Sequence, residues 1–94
     1  MEKLKFNLED FKNKKIAVNC DTEEQAVNFL SYLERNNLKW SDDGLLSAES
    51  EWSRYKEYTC YICDSSGVGF SYIQYFKNIG YTILDYSLLE FPIS

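Results

Sequence analysis

Apolar residues alternate at Ile16, Val18 and Cys20 in the segment KIAVNC, residues 15–20. A period of two predicts a strand with one buried face. Immediately afterwards the period changes. Ala26, Phe29, Leu30 and Leu33 recur at i, i+3, i+4 and i+7, which predicts a helix that buries one stripe. Two overlapping capping-box patterns, Asp21-x-x-Glu24 and Thr22-x-x-Gln25, mark its start. Glu23 and Glu24 suit the positive end of the helix dipole. Asn36-Asn37 predicts the stop, because asparagine tolerates the left-handed conformation at C′, and Leu38 can make the hydrophobic contact just past it.

Periodicity weakens from Leu38 to Glu57. Asp42-Asp43-Gly44 has turn chemistry. A short strand is expected to begin at Leu45 and Leu46, and Ser50 to Lys56 reads as a single helical turn carrying Trp52 and Tyr55. The strand pattern returns in YTCYIC, residues 58–63. Asp64-Ser65-Ser66-Gly67 then turns the chain, so Val68-Gly69-Phe70 is expected as the hairpin partner. Ser71-x-x-Gln74 is a further capping-box pattern. Tyr72, Phe76 and Ile79 then form the inner stripe of a second helix, with Tyr75 outside and Gly80 at C′. YTILDY, residues 81–86, reads as a last strand, and an apolar tail follows in which Pro92 limits pairing. This order predicts one α+β domain over residues 1–94. Its expected architecture is a small, mostly antiparallel sheet of four or five strands with two helices packed on one face.

Charge changes the picture of what such a domain could meet. The net charge is −5. Residues 1–15 carry Lys3, Lys5, Lys12, Lys14 and Lys15 against Glu2, Glu9 and Asp10, a local excess of +2, so the remainder stands at −7. A body this acidic is repelled by phosphates, and direct nucleic-acid binding is not expected. A basic protein surface is the complementary partner, including one that ordinarily holds nucleic acid, and plain solubility is the competing explanation. A dimer would help a chain of this size bury surface. No apolar run approaches the roughly 18–20 residues of a membrane span. Met1 to Lys15 has no apolar h-region, so no signal peptide is expected. With three cysteines, an odd count, reduced thiols in a cytoplasm follow.

Candidate chemistry is sparse. The chain has no histidine. Cys60-x-x-Cys63 has the spacing of a zinc or redox pair, but only Cys20 remains as a further thiolate ligand. On a strand this odd spacing also sends the two side chains to opposite faces. Gly67-x-Gly69 lacks the third glycine of a dinucleotide fingerprint, since position 72 is Tyr. Asp42, Asp43, Glu49, Glu51 and Glu57 form the densest acidic stretch, without the alternating oxygen ligands of a calcium loop. Trp40, Trp52 and Tyr55 flank it. Eleven of the sixteen aromatic residues lie between Trp52 and Phe91. Such residues fill cores, and they also dominate interface energetics. The expected partner-binding set is Asp42, Asp43, Glu49, Glu51, Trp52 and Tyr55, with no catalytic residue, metal or cofactor.

Two stretches carry a resemblance. KIAVNCDTEEQAVNFLSYLERNNLKW and YFKNIGYTILDY, together about 40 % of the chain, resemble segments of small proteins encoded by phages and prophages of low-GC Gram-positive bacteria. The shared features are structural: a strand ending in Cys, a Thr-Glu-Glu helix start, a helix ending near Trp, and an aromatic-x-x-x-Gly-Tyr-x-Ile close. The resemblance carries no site residue. It implies an accessory product acting in a bacterial cytoplasm, a group that includes inhibitors of host defence such as anti-CRISPR proteins. The expected function is therefore non-enzymatic: binding and inhibition of a host protein, such as a nucleic-acid-binding defence factor, through an acidic aromatic surface. The alternative is a binder that sequesters a small nucleotide signal between aromatic faces.

Overall fold

The computed structural model describes residues 3–48 and 50–91. In chain order the elements are β1 (Leu4–Lys5), α1 (Leu8–Asn13), β2 (Ile16–Asn19), α2 (Glu23–Arg35), β3 (Thr59–Asp64), β4 (Gly67–Tyr72), α3 (Ile73–Asn78), β5 (Thr82–Asp85) and β6 (Leu89–Glu90). Short 3-10 turns occupy Leu46–Ala48, Trp52–Arg54, Lys56–Tyr58 and Tyr86–Leu88. The main sheet has the order β4-β3-β2-β5, in which β2 pairs antiparallel with β3 and parallel with β5, and β3 and β4 form an antiparallel hairpin. The α+β class and the small, mostly antiparallel sheet are as the pattern predicts.

Local chemistry accounts for the boundaries of α2. Thr22 is the N-cap, its Oγ1 accepting from Gln25 N–H at 3.1 Å, while Gln25 Oε1 accepts from Asp21 N–H at 3.1 Å. At the other end Asn37 is left-handed, with φ of 69°. Leu38 N–H donates to the Leu33 carbonyl at 3.1 Å and Asn37 N–H to the Glu34 carbonyl at 3.0 Å, the paired bonds of a Schellman motif. The hairpin closes at Asp64 opposite Gly67, and Asp64 Oδ1 accepts from both the N–H and the hydroxyl of Ser66, at 2.9 and 2.7 Å. Gly67 is required there. Its φ is 126°, and a Cβ would stand 2.9 Å from the Lys39 carbonyl oxygen.

Strand alternation divides the sheet into two faces. One carries Val18, Tyr61, Cys63 and Val68, buried against α1 and α2 through Phe11, Phe29, Leu30 and Leu33. The Phe29 ring is the hub, with the rings of Phe6, Phe11, Phe91, Tyr86 and Tyr61 centred 5.5–6.3 Å away. The other face carries Ala17, Cys60 and Ile62 under Phe76 of α3, a smaller cluster. Two helices thus share one face, and they are α1 and α2. The segment expected as the second of that pair, α3, crosses the opposite face.

Several finer expectations are corrected. The ladder pairs Cys60 with Ser71 and Thr59 with Tyr72, so β4 runs to Tyr72 and Ser71 cannot cap a helix. Tyr72 then takes the N-cap position without a side-chain bond, and α3 buries Phe76 while Tyr72 and Ile79 stay 43 % and 42 % exposed. No strand forms at Leu45 and Leu46. A 3-10 turn drives Leu46 into the core and leaves Leu45 outside. The amino-terminal segment, read only as charged, forms α1 with Asn7 as its cap. It also supplies β1, which pairs in parallel with β6 and draws Leu89 and Phe91 of the apolar tail onto Phe6. Pro92 lies outside the described residues.

Candidate functional site

The acidic stretch and the sheet meet at the outer edge of β4. Residues 39–41 run beside this strand for a single parallel bridge, Trp40 opposite Val68. Val68 N–H donates to the Lys39 carbonyl at 2.8 Å, and Ser41 N–H donates to the Val68 carbonyl at 3.2 Å. The chain then turns away. Asp43 N–H donates to the Trp40 carbonyl at 2.8 Å, Trp40 N–H donates to the Gly44 carbonyl at 3.1 Å, and Asp42 Oδ1 accepts from Gly44 N–H at 3.0 Å. Asp43 is left-handed at φ 70°, a conformation its short polar side chain tolerates. The turn therefore ends the edge pairing after one bridge.

In an antiparallel ladder, alternate residues direct their backbone groups toward the neighbour and away from it. The bonds from Val68 to residues 39 and 41 show that Val68 faces away from β3. Phe70, two residues on, faces the same way. Among the described residues nothing pairs with the outward N–H and C=O of Phe70.

Beside that open position lies a groove of about 460 Å³, lined by Trp40, Asp42, Leu45, Glu51, Val68 and Phe70 among others. Leu45 presents an exposed apolar side chain on its border, at 58 % exposure. Aromatic rings continue along the strand: Trp40 to Phe70 at 5.8 Å, Phe70 to Tyr55 at 6.1 Å, Tyr55 to Tyr72 at 5.4 Å, and Tyr72 to Tyr75 at 6.2 Å. Arg54 sits among them. The Arg54 guanidinium carbon lies 5.9 Å from the Phe70 ring centre, and Arg54 Nε donates to Glu51 Oε1 at 3.0 Å. Glu51 itself is left-handed at φ 59°, and it also lines a second groove of about 350 Å³ bordered by Glu23.

The structure distributes the six expected site residues unevenly. Asp42 and Glu51 line the groove. Asp43 is exposed and lines a separate concavity with Lys12 and Lys39. Tyr55 is half-buried against Phe70 and Tyr72. Trp52 is not part of the groove lining: its indole Nε1–H donates to the Cys20 carbonyl at 2.9 Å, and its ring packs on the main core. Glu49 lies outside the described residues. The groove instead uses Trp40, Leu45 and Phe70. Trp40 was legible as an aromatic flanking the acidic stretch, and Phe70 as a hairpin residue. Nothing in the local pattern marked either as facing an open edge.

The thiols have a different character. Cys60 and Cys63 fall on opposite faces, as their spacing predicts, and all three cysteines are buried and unpaired with one another. Burial raises each thiol above its ordinary range, Cys60 to about 12, and at Cys20 the neighbouring Cys60, Asp21 and Asp85 add to the effect. Thiols held this way are poor nucleophiles and poor metal ligands near neutral pH. Among the described residues no three Cys, Asp or Glu side chains converge as a metal site would need, and no helix is long and apolar enough to cross a membrane. No family model, curated protein or solved structure matches the chain.

Proposed function

We propose that the chain works by binding a basic protein, with the groove beside β4 as its contact surface. The observation that carries this reading is one place in the fold: an open strand edge, an aromatic lining, and the carboxylates of Asp42 and Glu51, with Arg54, the cation set against Phe70, already bonded to Glu51. A nucleotide signal fits the same groove by volume. Its phosphate, however, would approach Asp42 and Glu51, and among the described residues the groove lining holds no lysine or arginine to receive it, so the protein partner is favoured over the small anion. The phage-like sequence resemblance narrows the proposal to a host factor of a bacterial cytoplasm whose basic surface normally holds nucleic acid.

The test is capture from a bacterial host lysate by the immobilised chain and by the double variant Asp42→Asn, Glu51→Gln. These substitutions remove charge yet keep the acceptors that close the Gly44 turn and hold Arg54. Enrichment of a basic protein is expected, reduced about fivefold by the variant, since two charge contacts at roughly 0.5 kcal/mol each amount to about 1 kcal/mol. An empty capture, or one indifferent to the substitutions, refutes the reading.

A further inference from the structure

The open edge says more about how such a partner would bind. We propose that β4 takes up an extended basic segment of the partner as an added strand, bonded through the backbone of Phe70. This inference rests on the binding reading above. A sheet edge offers unpaired N–H and C=O groups to any extended chain, and recognition by strand addition uses them for affinity and flanking pockets for specificity. Here the one bridge at Val68 shows that the edge accepts a neighbour, and the Asp42-Asp43-Gly44 turn removes that neighbour just before Phe70. The next outward position is Tyr72, after which α3 begins at Ile73, so the free edge accommodates about three to four residues.

Charge complementarity names the occupant. Side chains of an added strand alternate between the two faces, and those on the groove side enter among Trp40, Leu45, Asp42 and Glu51. A lysine or arginine there meets both carboxylates. Arg54, whose side chain is 64 % exposed, can swing away from Glu51 as the new cation arrives. A second copy of the chain is the poorer occupant, because edge-to-edge pairing would set these carboxylates against their own counterparts on a body of net charge −5.

The experiment uses the intact chain and a defined probe. The probe is an acetylated, amidated, fluorescein-labelled nonapeptide of alternating lysine and valine, compared with the same peptide N-methylated at every backbone amide. Charge is equal in the two, but the second cannot extend a sheet. The unmethylated peptide is expected to bind about ten- to a hundredfold more tightly, the worth of one to two backbone hydrogen bonds with their neighbours. The Phe70 amide should exchange freely in the unliganded chain and become protected with the peptide. Equal binding of both peptides overturns strand addition and leaves the charge reading standing. Capture of a lysate protein without any peptide binding also overturns it alone. A Phe70 amide already protected in the free chain, whether monomer or dimer, shows the edge occupied from within or by a second copy and overturns it as well.

Discussion

Trp52 separates two accounts of the aromatic residues beside the acidic stretch. As an interface anchor it would carry binding energy and little stability. As the structure has it, the indole Nε1–H bonds the Cys20 carbonyl at 2.9 Å and the ring packs on the main core, while the Trp52 carbonyl accepts from the Thr59 hydroxyl at 3.3 Å. The substitution Trp52→Phe keeps an aromatic ring and removes the donor. Losing that bond costs about 0.5–1.5 kcal/mol, and shrinking the ring against the core about 1 kcal/mol more. The total, about 2 kcal/mol, is a large share of what a domain this small has in hand. It corresponds to a fall of about 10 °C in Tm. Urea unfolding followed by far-ultraviolet circular dichroism measures the loss, and the lysine–valine peptide measures binding on the same samples below the transition. Trp52→Phe should lose stability and bind within threefold of the parent chain. A variant of unchanged stability whose binding falls tenfold would refute the assignment of Trp52 to the core.

Two further outcomes follow from the hairpin and the thiols. Gly67→Ala forces a Cβ to 2.9 Å from the Lys39 carbonyl oxygen at φ 126°, so it should cost about 2 kcal/mol or more and speed exchange of the Val68 amide as residues 39–41 lift away; unchanged urea stability and Val68 exchange would contradict this. For the thiols, folding raises the pKa above the unfolded value, so the stabilisation is full below the ordinary thiol pKa and is lost as pH rises toward the folded one. Between about pH 9 and pH 12, the window set by Cys60, stability should fall by about 1.4 kcal/mol per pH unit for that thiol, and Cys20 and Cys63, also raised by burial, act in the same direction. Urea midpoints measured from pH 8 to pH 11 check it, and a flat profile would show that the thiols ionise in the folded chain.

How much of this was readable beforehand depends on the range of the interactions involved. The α2 boundaries were legible because Thr22, Gln25, Asn37 and Leu38 act within one turn of one another. The hairpin was legible for the same reason, with Asp64 and Gly67 supplying its turn. The opposite facing of Cys60 and Cys63 needed only the period of a strand. The α3 register failed because two local rules competed, a capping-box pattern at Ser71 and a ladder reaching Tyr72, and tertiary pairing with Thr59 and Cys60 prevailed. The small helix α1 and the β1–β6 pair depend on contacts between chain ends some eighty-five residues apart, Leu4 with Leu89, which no window of sequence contains. The groove was half visible. Acidity and aromatic content pointed to the stretch around residues 42–55. Which aromatic faces outward depended on Trp52 finding the Cys20 carbonyl and Trp40 finding the edge of β4.

The carboxylates at that edge admit a simpler purpose, protection of a bare strand from sticking to its own kind, for which soluble proteins commonly use charge. Protection and recognition make different demands on the neighbourhood. To repel a second copy, exposed acids flanking the strand suffice, and polar neighbours would serve better than apolar ones. Around Phe70 the chain does the reverse: it brings Trp40 beside the strand, leaves Leu45 exposed on the border, and extends a run of rings through Tyr55 and Tyr72. Apolar surface beside an open edge raises the risk of association, so acids placed there limit which chains can exploit it. A partner strand that is both extended and basic gains the backbone bonds and the apolar contact without meeting like charge. On the strand-addition proposal, an acidic one, including this chain itself, would be turned away. On that proposal the same carboxylates would act as barrier and as filter, and the aromatic lining is what a barrier alone would leave unexplained.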